Sequence, residues 1–396
     1  MQVHESVRAA PSGSAELLSA SLGQDGTQLR LTVKLRGRPL PGALCVRLAT
    51  VPLCLDEGPV LKRDGVPVRA SVTVRQNTLE AQFTPAAVGL EFGQFAWSVE
   101  TAEDRIPVVG SIPSRAVPFA ATRCFGAAAR DPWKPCENPA LRRVVTPTPS
   151  RALLTPNAPC ELMQRAALVS PCLFGVPGGE RVALVGDSHA EHWRAALEVV
   201  AQARSWRGVS ITLTGCPFNA RPARLPTGAL TAACGRWSRD VRRWFVRNRD
   251  VRTVFVSANS ASAFDGDAGA GYRAAWRGLP ASVRRIYVLR DTPRIVRPQA
   301  ECVSRLLRRK RPIGWRCAQS RRENLPPDPH AEAARDADSR VRVLDLSTLM
   351  CSSRLCPAVI GGVLVRKDGT HLTRAFSATL GAFVLRALRA PNSRGA

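Results

Sequence analysis

The chain is predicted to fold as an α/β protein with a buried parallel sheet, preceded by a small antiparallel β-sandwich. Three observations carry this prediction. From residue 181 onward, short apolar runs alternate with stretches of helical periodicity, the pattern of βαβ units and a parallel sheet covered on both faces. Between residues 14 and about 115, apolar and polar residues alternate with period two and no helical period is visible, as in strands with one buried face. Apolar residues make up 45% and charged residues 22% of 396 residues. That is ordinary for globular proteins, rules out disorder as the main state and leaves room for about two to three domains.

Residues 1–115 form the β-rich region. Leu29–Leu35 (LRLTVKL) and Val68–Val74 (VRASVTV) alternate strictly, and Gly and Pro punctuate the runs, as in RPLPG at 38–42. Residues 116–180 are rich in Pro and Cys and read as a linker packed on the C-terminal domain, without long regular elements. Residues 181–391 carry the α/β pattern. Strands are expected at Arg181–Gly186, Val209–Leu213, Val251–Val256, Ile286–Leu289 and Val341–Leu346. Helices are expected at His189–Ala203, Trp237–Arg247 and Thr373–Arg389, with 297–340 an Arg- and Pro-rich insertion of loop character. No run reaches the roughly 18 apolar residues of a membrane-spanning helix, and internal repeats are missing.

The 57 basic and 31 acidic residues leave a net charge of +26, nearly all of it arginine, with Lys34, Lys62, Lys134, Lys310 and Lys367 the only lysines. The densest basic run is Arg305–Arg311 (RLLRRKR), and a shorter one is Arg242-Arg243. Neither is interleaved with aromatics, so the stacking platforms used on single-stranded nucleic acid are scarce. Nucleic acid is therefore not the expected partner; anionic surface polymers or head groups fit better, with a solvated basic face as the plain reading.

The 12 cysteines fall into neighbouring pairs: Cys45/Cys54, Cys124/Cys136, Cys160/Cys172, Cys216/Cys234, Cys302/Cys317 and Cys351/Cys356. None has C-x-x-C spacing, and no H-E-x-x-H occurs among five histidines, so neither a zinc site nor another metal or nucleotide cofactor is implied. Six local disulfides in sequential order are the simplest arrangement. Disulfides persist outside the reducing cytosol, whereas residues 1–18 show no apolar signal core. We therefore expect an extracytoplasmic protein, secreted or envelope-associated, whose Met1 is an internal or misassigned start or whose leader or membrane portion lies upstream.

Parallel α/β sheets hold their sites at the carboxyl ends of strands. Two such places carry chemistry. Gly186-Asp187-Ser188-His189 follows the first α/β strand and opens a helix, which exposes the Ser188 hydroxyl beside free helix-start amides. Asp368-Gly369-Thr370-His371 precedes the last helix and offers an imidazole with a carboxylate three residues earlier, the pair that activates a serine nucleophile.

These residues resemble the SGNH (GDSL-like) hydrolase superfamily, in particular the SGNH domain fused behind membrane acyltransferase-3 domains. The likeness runs from about Cys124 to Leu388 and rests on VALVGDSHAEHW at 182–193, TGCPF at 214–218, LRDTPR at 289–294 and GGVLVRKDGTHLT at 361–373. It implies a flavodoxin-like three-layer parallel sheet, with Ser188 the nucleophile, His371 the general base and acid, and Asp368 its orienting partner. The backbone amides of Ser188 and Gly215 would line the oxyanion hole. The usual G-x-N-D of the third block is missing; Asn259 in VSANS at 256–260 is the candidate replacement. Loss of one such donor costs on the order of 10²–10³ in rate, so a slow enzyme is compatible with this sequence. Asp187 is expected to hold the turn, and His189, His192 and Asp291 to be structural. Trp193 and Trp237 should be core, and Trp276 is a candidate for lining a groove.

The resemblance further implies acyl transfer through an acyl-serine, as an esterase or an O-acyltransferase on cell-envelope or exported polysaccharide. A separate membrane protein could supply the acyl group. The rival reading is a glycan-binding module on a degenerate SGNH scaffold. The β-rich region could bind glycan or a partner, or pack on the α/β domain.

Overall fold

The computed structural model describes residues 4–8, 17–25, 28–36, 44–48, 51–56, 59–83, 85–88, 97–101, 105–106 and 124–389, apart from 155–156, 159, 177 and 297. The chain divides into two compact units, Met1–Arg123 and Cys124–Ala396. The sequence-based boundary at 115/116 falls outside the described residues.

The first unit holds two antiparallel sheets. In one, the strands run in spatial order His4–Arg8, Leu17–Asp25, Gln28–Leu35, Thr78–Phe83 and Ala70–Arg75. The other contains Arg105–Ile106, Trp97–Thr101, Leu44–Leu48, Val51–Asp56, Val60–Arg63 and Val66–Pro67. Leu31, Val33 and Leu79 of the first sheet and Val46, Leu53 and Trp97 of the second meet in one apolar cluster, which makes this a sandwich. Cys45 and Cys54 lie directly opposite each other and are bonded. The run Val68–Val74 is not one strand: Val68 N still donates to Leu61 O of the second sheet at 2.9 Å, and the first sheet is joined from Ala70.

In the second unit seven strands form one sheet: β1 (Glu161–Leu162), β2 (Cys172–Gly175), β3 (Glu180–Gly186), β4 (Trp206–Thr212), β5 (Thr253–Ser257), β6 (Arg285–Leu289) and β7 (Val341–Leu344). Their spatial order is β1-β2-β4-β3-β5-β6-β7. The five from β4 to β7 are parallel, in the order of flavodoxin-like sheets, and β1 and β2 extend them antiparallel. Residues 124–180 thus supply two edge strands, and their thiols close locally as Cys124–Cys136 and Cys160–Cys172.

Among the helices are α1 (Ser188–Glu191), α2 (Arg194–Arg204), α3 (Gly228–Arg247), α4 (Ala268–Arg277), α5 (Gln299–Arg308), α6 (Pro329–Arg335) and α7 (Arg374–Arg389); short helices also occur at Pro149–Leu154, Arg321–Asn324 and Ser347–Met350. Trp237, Val241 and Phe245 of α3, Tyr272 and Trp276 of α4 and Ala333 of α6 cover one face of the sheet, against Ala183, Val185, Val254 and Val256. Helix α2 packs on β2 and β4 and on α7; Gly381 allows the close α2–α7 approach, because a Cβ there would lie 2.5 Å from Val199 Cβ. Strand residues are buried on both faces, which is why their sequences are continuous apolar runs.

Two expectations need correction. The helix expected at His189–Ala203 tightens after one turn, where Trp193 N donates to Ala190 O, and resumes at Arg194. The insertion 297–340 is not mainly loop. Val303, Leu306 and Leu307 give α5 one apolar face, and Asp328 caps α6 with Pro329 in its first turn. Both are local helix signals that the surrounding Arg and Pro content obscures.

Candidate active site

The site starts from a glycine. Strands β3, β4 and β5 end in register, with Gly186 opposite both Thr212 and Ser257. A Cβ on Gly186 would stand 2.0 Å from Ser257 O, and its φ is +149°; only glycine fits so close a backbone approach. The chain then turns at Asp187, whose carboxylate caps α1 by accepting from His189 N at 2.8 Å. Its other oxygen accepts from Asn259 N at 2.9 Å. Asp187 therefore ties the turn after β3 to the loop after β5. Burial raises its pKa, against the lowering effect of His189 and the two amide hydrogen bonds.

Ser188 begins α1, and its Oγ lies 2.9 Å from His371 Nε2. His371 Nδ1 lies 2.9 and 3.0 Å from the two oxygens of Asp368. A proton on Nδ1 satisfies Asp368 and leaves Nε2 to accept from the serine, so the geometry selects the tautomer. The Asp368 carboxylate also accepts from Thr370 N and His371 N, at 2.9 and 2.8 Å. Burial by itself would raise the Asp368 pKa; the imidazole and the two amides outweigh it and hold the carboxyl well below its ordinary range. The turn is anchored by Ile295 N to Gly369 O at 2.6 Å and by an Arg366–Leu372 bridge. Two loops 183 residues apart are thereby brought face to face.

A second imidazole–carboxylate pair lies beside the first. Buried His189 Nδ1 is 2.6 Å from Oδ1 of buried Asp291, and the His189 ring is 4.9 Å from that of His371 between centroids. Asp291 Oδ2 accepts from Ser260 N at 2.7 Å, and Asp291 N donates to Asp328 at 2.8 Å. Burial opposes charge on both partners, but each stabilises the other: His189 is raised and Asp291 lowered. His192 is also buried near His371, with ring centroids 6.0 Å apart, and burial drives its pKa well down. Neither His192 nitrogen, nor His189 Nε2, has a hydrogen-bond partner among the described residues. Periodicity marks none of these three as neighbours of His371. The available signal is that Asp291 lies two residues beyond β6, whose carboxyl end lies in the same row as those of β3 and β5.

Gly215 lies in the exposed turn after β4 with φ +70°, and Cys216–Cys234 ties that turn to α3. Asn259 is in the loop after β5, but its side-chain oxygen accepts from Ala261 N at 2.9 Å, holding the carboxamide in a local turn. Trp193 and Trp237 are core. Trp276 lines no groove: it is fully buried, stacked on Tyr272 and against His330, because it lies on the sheet-facing side of α4. The last two cysteine pairs close as Cys302–Cys317 and Cys351–Cys356.

No helix among the described residues is long and apolar enough to cross a membrane. No curated protein matches the chain. Among solved structures, it is similar to the periplasmic domain of a lipopolysaccharide acetyltransferase from Salmonella ser. Paratyphi A. The identity is 12% and the TM-score 0.43, over 53% of this chain and 84% of that one. A family model described as an SGNH domain fused to AT3 domains matches residues 159–386, more than half of the chain and the whole of the seven-stranded sheet. With that match the chain belongs to the SGNH domain family of the type fused to AT3 domains.

Proposed function

We propose that the protein is a serine acyl-transfer enzyme, acting on acetyl esters of cell-envelope or exported glycan through an acyl-serine. The observation that carries this reading is the relay Ser188 Oγ to His371 Nε2 to Asp368, at 2.9 Å on each side of the imidazole. His371 takes the serine proton as Oγ attacks the ester carbonyl. Asp368, ionised by its own hydrogen bonds, stabilises the imidazolium that forms. The Ser188 amide, without an intrahelical acceptor in the first turn, and the Gly215 amide receive the oxyanion. The imidazolium returns its proton to the leaving alcohol. Water then yields an esterase, or a sugar hydroxyl an O-acyltransferase, as His371 accepts the incoming hydroxyl proton and Ser188 Oγ recovers it.

The six disulfides support action outside the cytosol. Membership in a family fused to AT3 domains supports a membrane acyl donor. Hydrolysis of p-nitrophenyl acetate by the wild type and Ser188→Ala tests the reading, and a loss of at least about 10³-fold is expected. Equal rates would leave a glycan-binding module without turnover. Incubation with acetylated and deacetylated wall glycans, followed by assay of released or gained acetyl, separates esterase from transferase.

A further inference from the structure

The basic run at 305–311 has no part in the catalytic site, yet it is built into a rigid element. Helix α5 buries Val303 and packs Leu306 and Leu307 into a small cluster with Val145, Ile313, Cys317 and Val359. Cys302–Cys317 closes the segment on itself, and Gln299 Nε2 donates to Cys317 O at 2.9 Å. The helix ends through Lys310 at φ +52°, with Lys310 N and Arg311 N donating to Leu307 O and Leu306 O. With the apolar side used, the outward side is cationic. Arg305, Arg308, Arg309, Lys310, Arg311 and Arg316 are exposed, and none has a carboxylate partner within salt-bridge distance among the described residues. Holding six like charges on one short clipped arm is electrostatically unfavourable in the absence of a counter-charge.

The chain runs from the arm directly into Pro312–Trp315, which line a cleft of about 490 Å³. Ile313 and Trp315 share this lining with Arg130, Asn138, Val359 and Gly362, and with Arg142, which is paired to the lining carboxylate Glu137 at 3.2 Å. Trp315 is a large aromatic that is 48% exposed, with the Arg130 guanidinium 5.2 Å from its ring centroid. The Arg130 Nε is buried and has no acceptor. Ser188, Asp368 and His371 do not line this cleft. From Gly362 in its lining the chain reaches His371 in nine residues, and between them buried Arg366 donates to Gln299 Oε1 of α5 at 3.1 Å.

We propose that this cleft and its cationic arm are a second binding site, which takes a carboxylate-bearing polysaccharide along the arm with one sugar ring against Trp315. An indole presents an apolar face to the ring's C–H groups, guanidinium forks match carboxylates, and a line of cations suits a repeating anionic polymer better than one small ligand. The proposal rests on the reading of the protein as a glycan-acting enzyme and adds the class of polymer and the surface that holds it.

The test measures binding of the full chain to polygalacturonate, with dextran, phosphatidylglycerol vesicles and duplex DNA as comparisons. Arg308→Ser/Arg309→Ser/Lys310→Ser/Arg311→Ser should weaken polygalacturonate binding at least tenfold. A charge-matched control, Arg236→Ser/Arg239→Ser/Arg247→Ser/Arg249→Ser on and just beyond α3, should stay within twofold of wild type. Trp315→Ala, which leaves the charge unchanged, should also lose at least fivefold. All three should unfold within a few degrees of wild type, since every altered side chain is exposed. Equal losses in both quadruple variants, no loss in Trp315→Ala, or equal or tighter arm-dependent binding of vesicles or DNA would overturn the proposal. Ser188→Ala should bind polygalacturonate as the wild type does. Failure of ester hydrolysis and failure of this site are thus read separately.

Discussion

Ser188, His371 and Asp368 divide the labour of the site by environment. Asp368 is held ionised by one imidazole and two amides, so replacing its charge attacks the tautomer as well as the electrostatics. Asp368→Asn should lower kcat for p-nitrophenyl acetate by on the order of 10³–10⁴, while the unfolding midpoint changes little; a loss under tenfold would count against the relay. Gly186 governs a different property. Gly186→Ala would force a Cβ to 2.0 Å from Ser257 O and 2.8 Å from Ala190 Cβ. A destabilisation of about 1–3 kcal/mol is expected from overpacking alone, measurable by denaturant unfolding, with loss of activity as the turn after β3 shifts. His189 and Asp291 show why a residue cannot be judged from its local pattern. Each is unremarkable in its own element, and 102 residues separate them.

At the scale of elements, the site is a row of strand ends. β4, β3 and β5 stop together, so the turns carrying Gly215, Ser188 and Asn259 emerge side by side, and the turn before α7 brings His371 over them. The turn after β4 depends on Cys216–Cys234, which ties it to α3. Cys216→Ser/Cys234→Ser should cost about 2–4 kcal/mol of stability. At a temperature where this variant is still folded, hydrolysis should also fall, because Gly215 immediately precedes the lost crosslink. Unchanged hydrolysis would show that the Gly215 amide is held by the turn alone. The α/β pattern was legible in these elements because both faces of the sheet are buried, so every strand is an apolar run. The helices within 297–340 were less legible, since their apolar faces are narrow and set among arginines and prolines.

At the scale of the α/β unit, buried titratable groups give stability a dependence on pH. Burial lowers the pKa of His330 to about 3. The unfolded chain takes up this proton near pH 6.5, so the stability linked to His330 is complete above about pH 6.5 and is lost as the pH falls towards about 3. Asp328, next to it, acts in the opposite sense: burial raises it to about 6, so its contribution is complete below about pH 4 and fades as the pH rises through 6. Removing the imidazole isolates the first effect. His330→Phe should show a shallower fall in unfolding midpoint between pH 7 and pH 4 than the wild type, and an equal slope would assign the dependence elsewhere. By itself the sequence determined the class of the sheet, the serine turn after the first parallel strand and the imidazole turn before the last helix, and it made sequential pairing of neighbouring cysteines the simplest arrangement. All of these are local signals: hydrophobic period, turn chemistry and short spacing. Only the tertiary structure decided that Asp187 and Asp291 clamp the loop carrying Asn259, that a second imidazole–carboxylate pair lies against His371, that Trp276 belongs to the core and that the loop after Arg305–Arg311 lines a cleft. Each of these depends on which distant segments the parallel sheet sets side by side, and spacing along the chain carries no record of that.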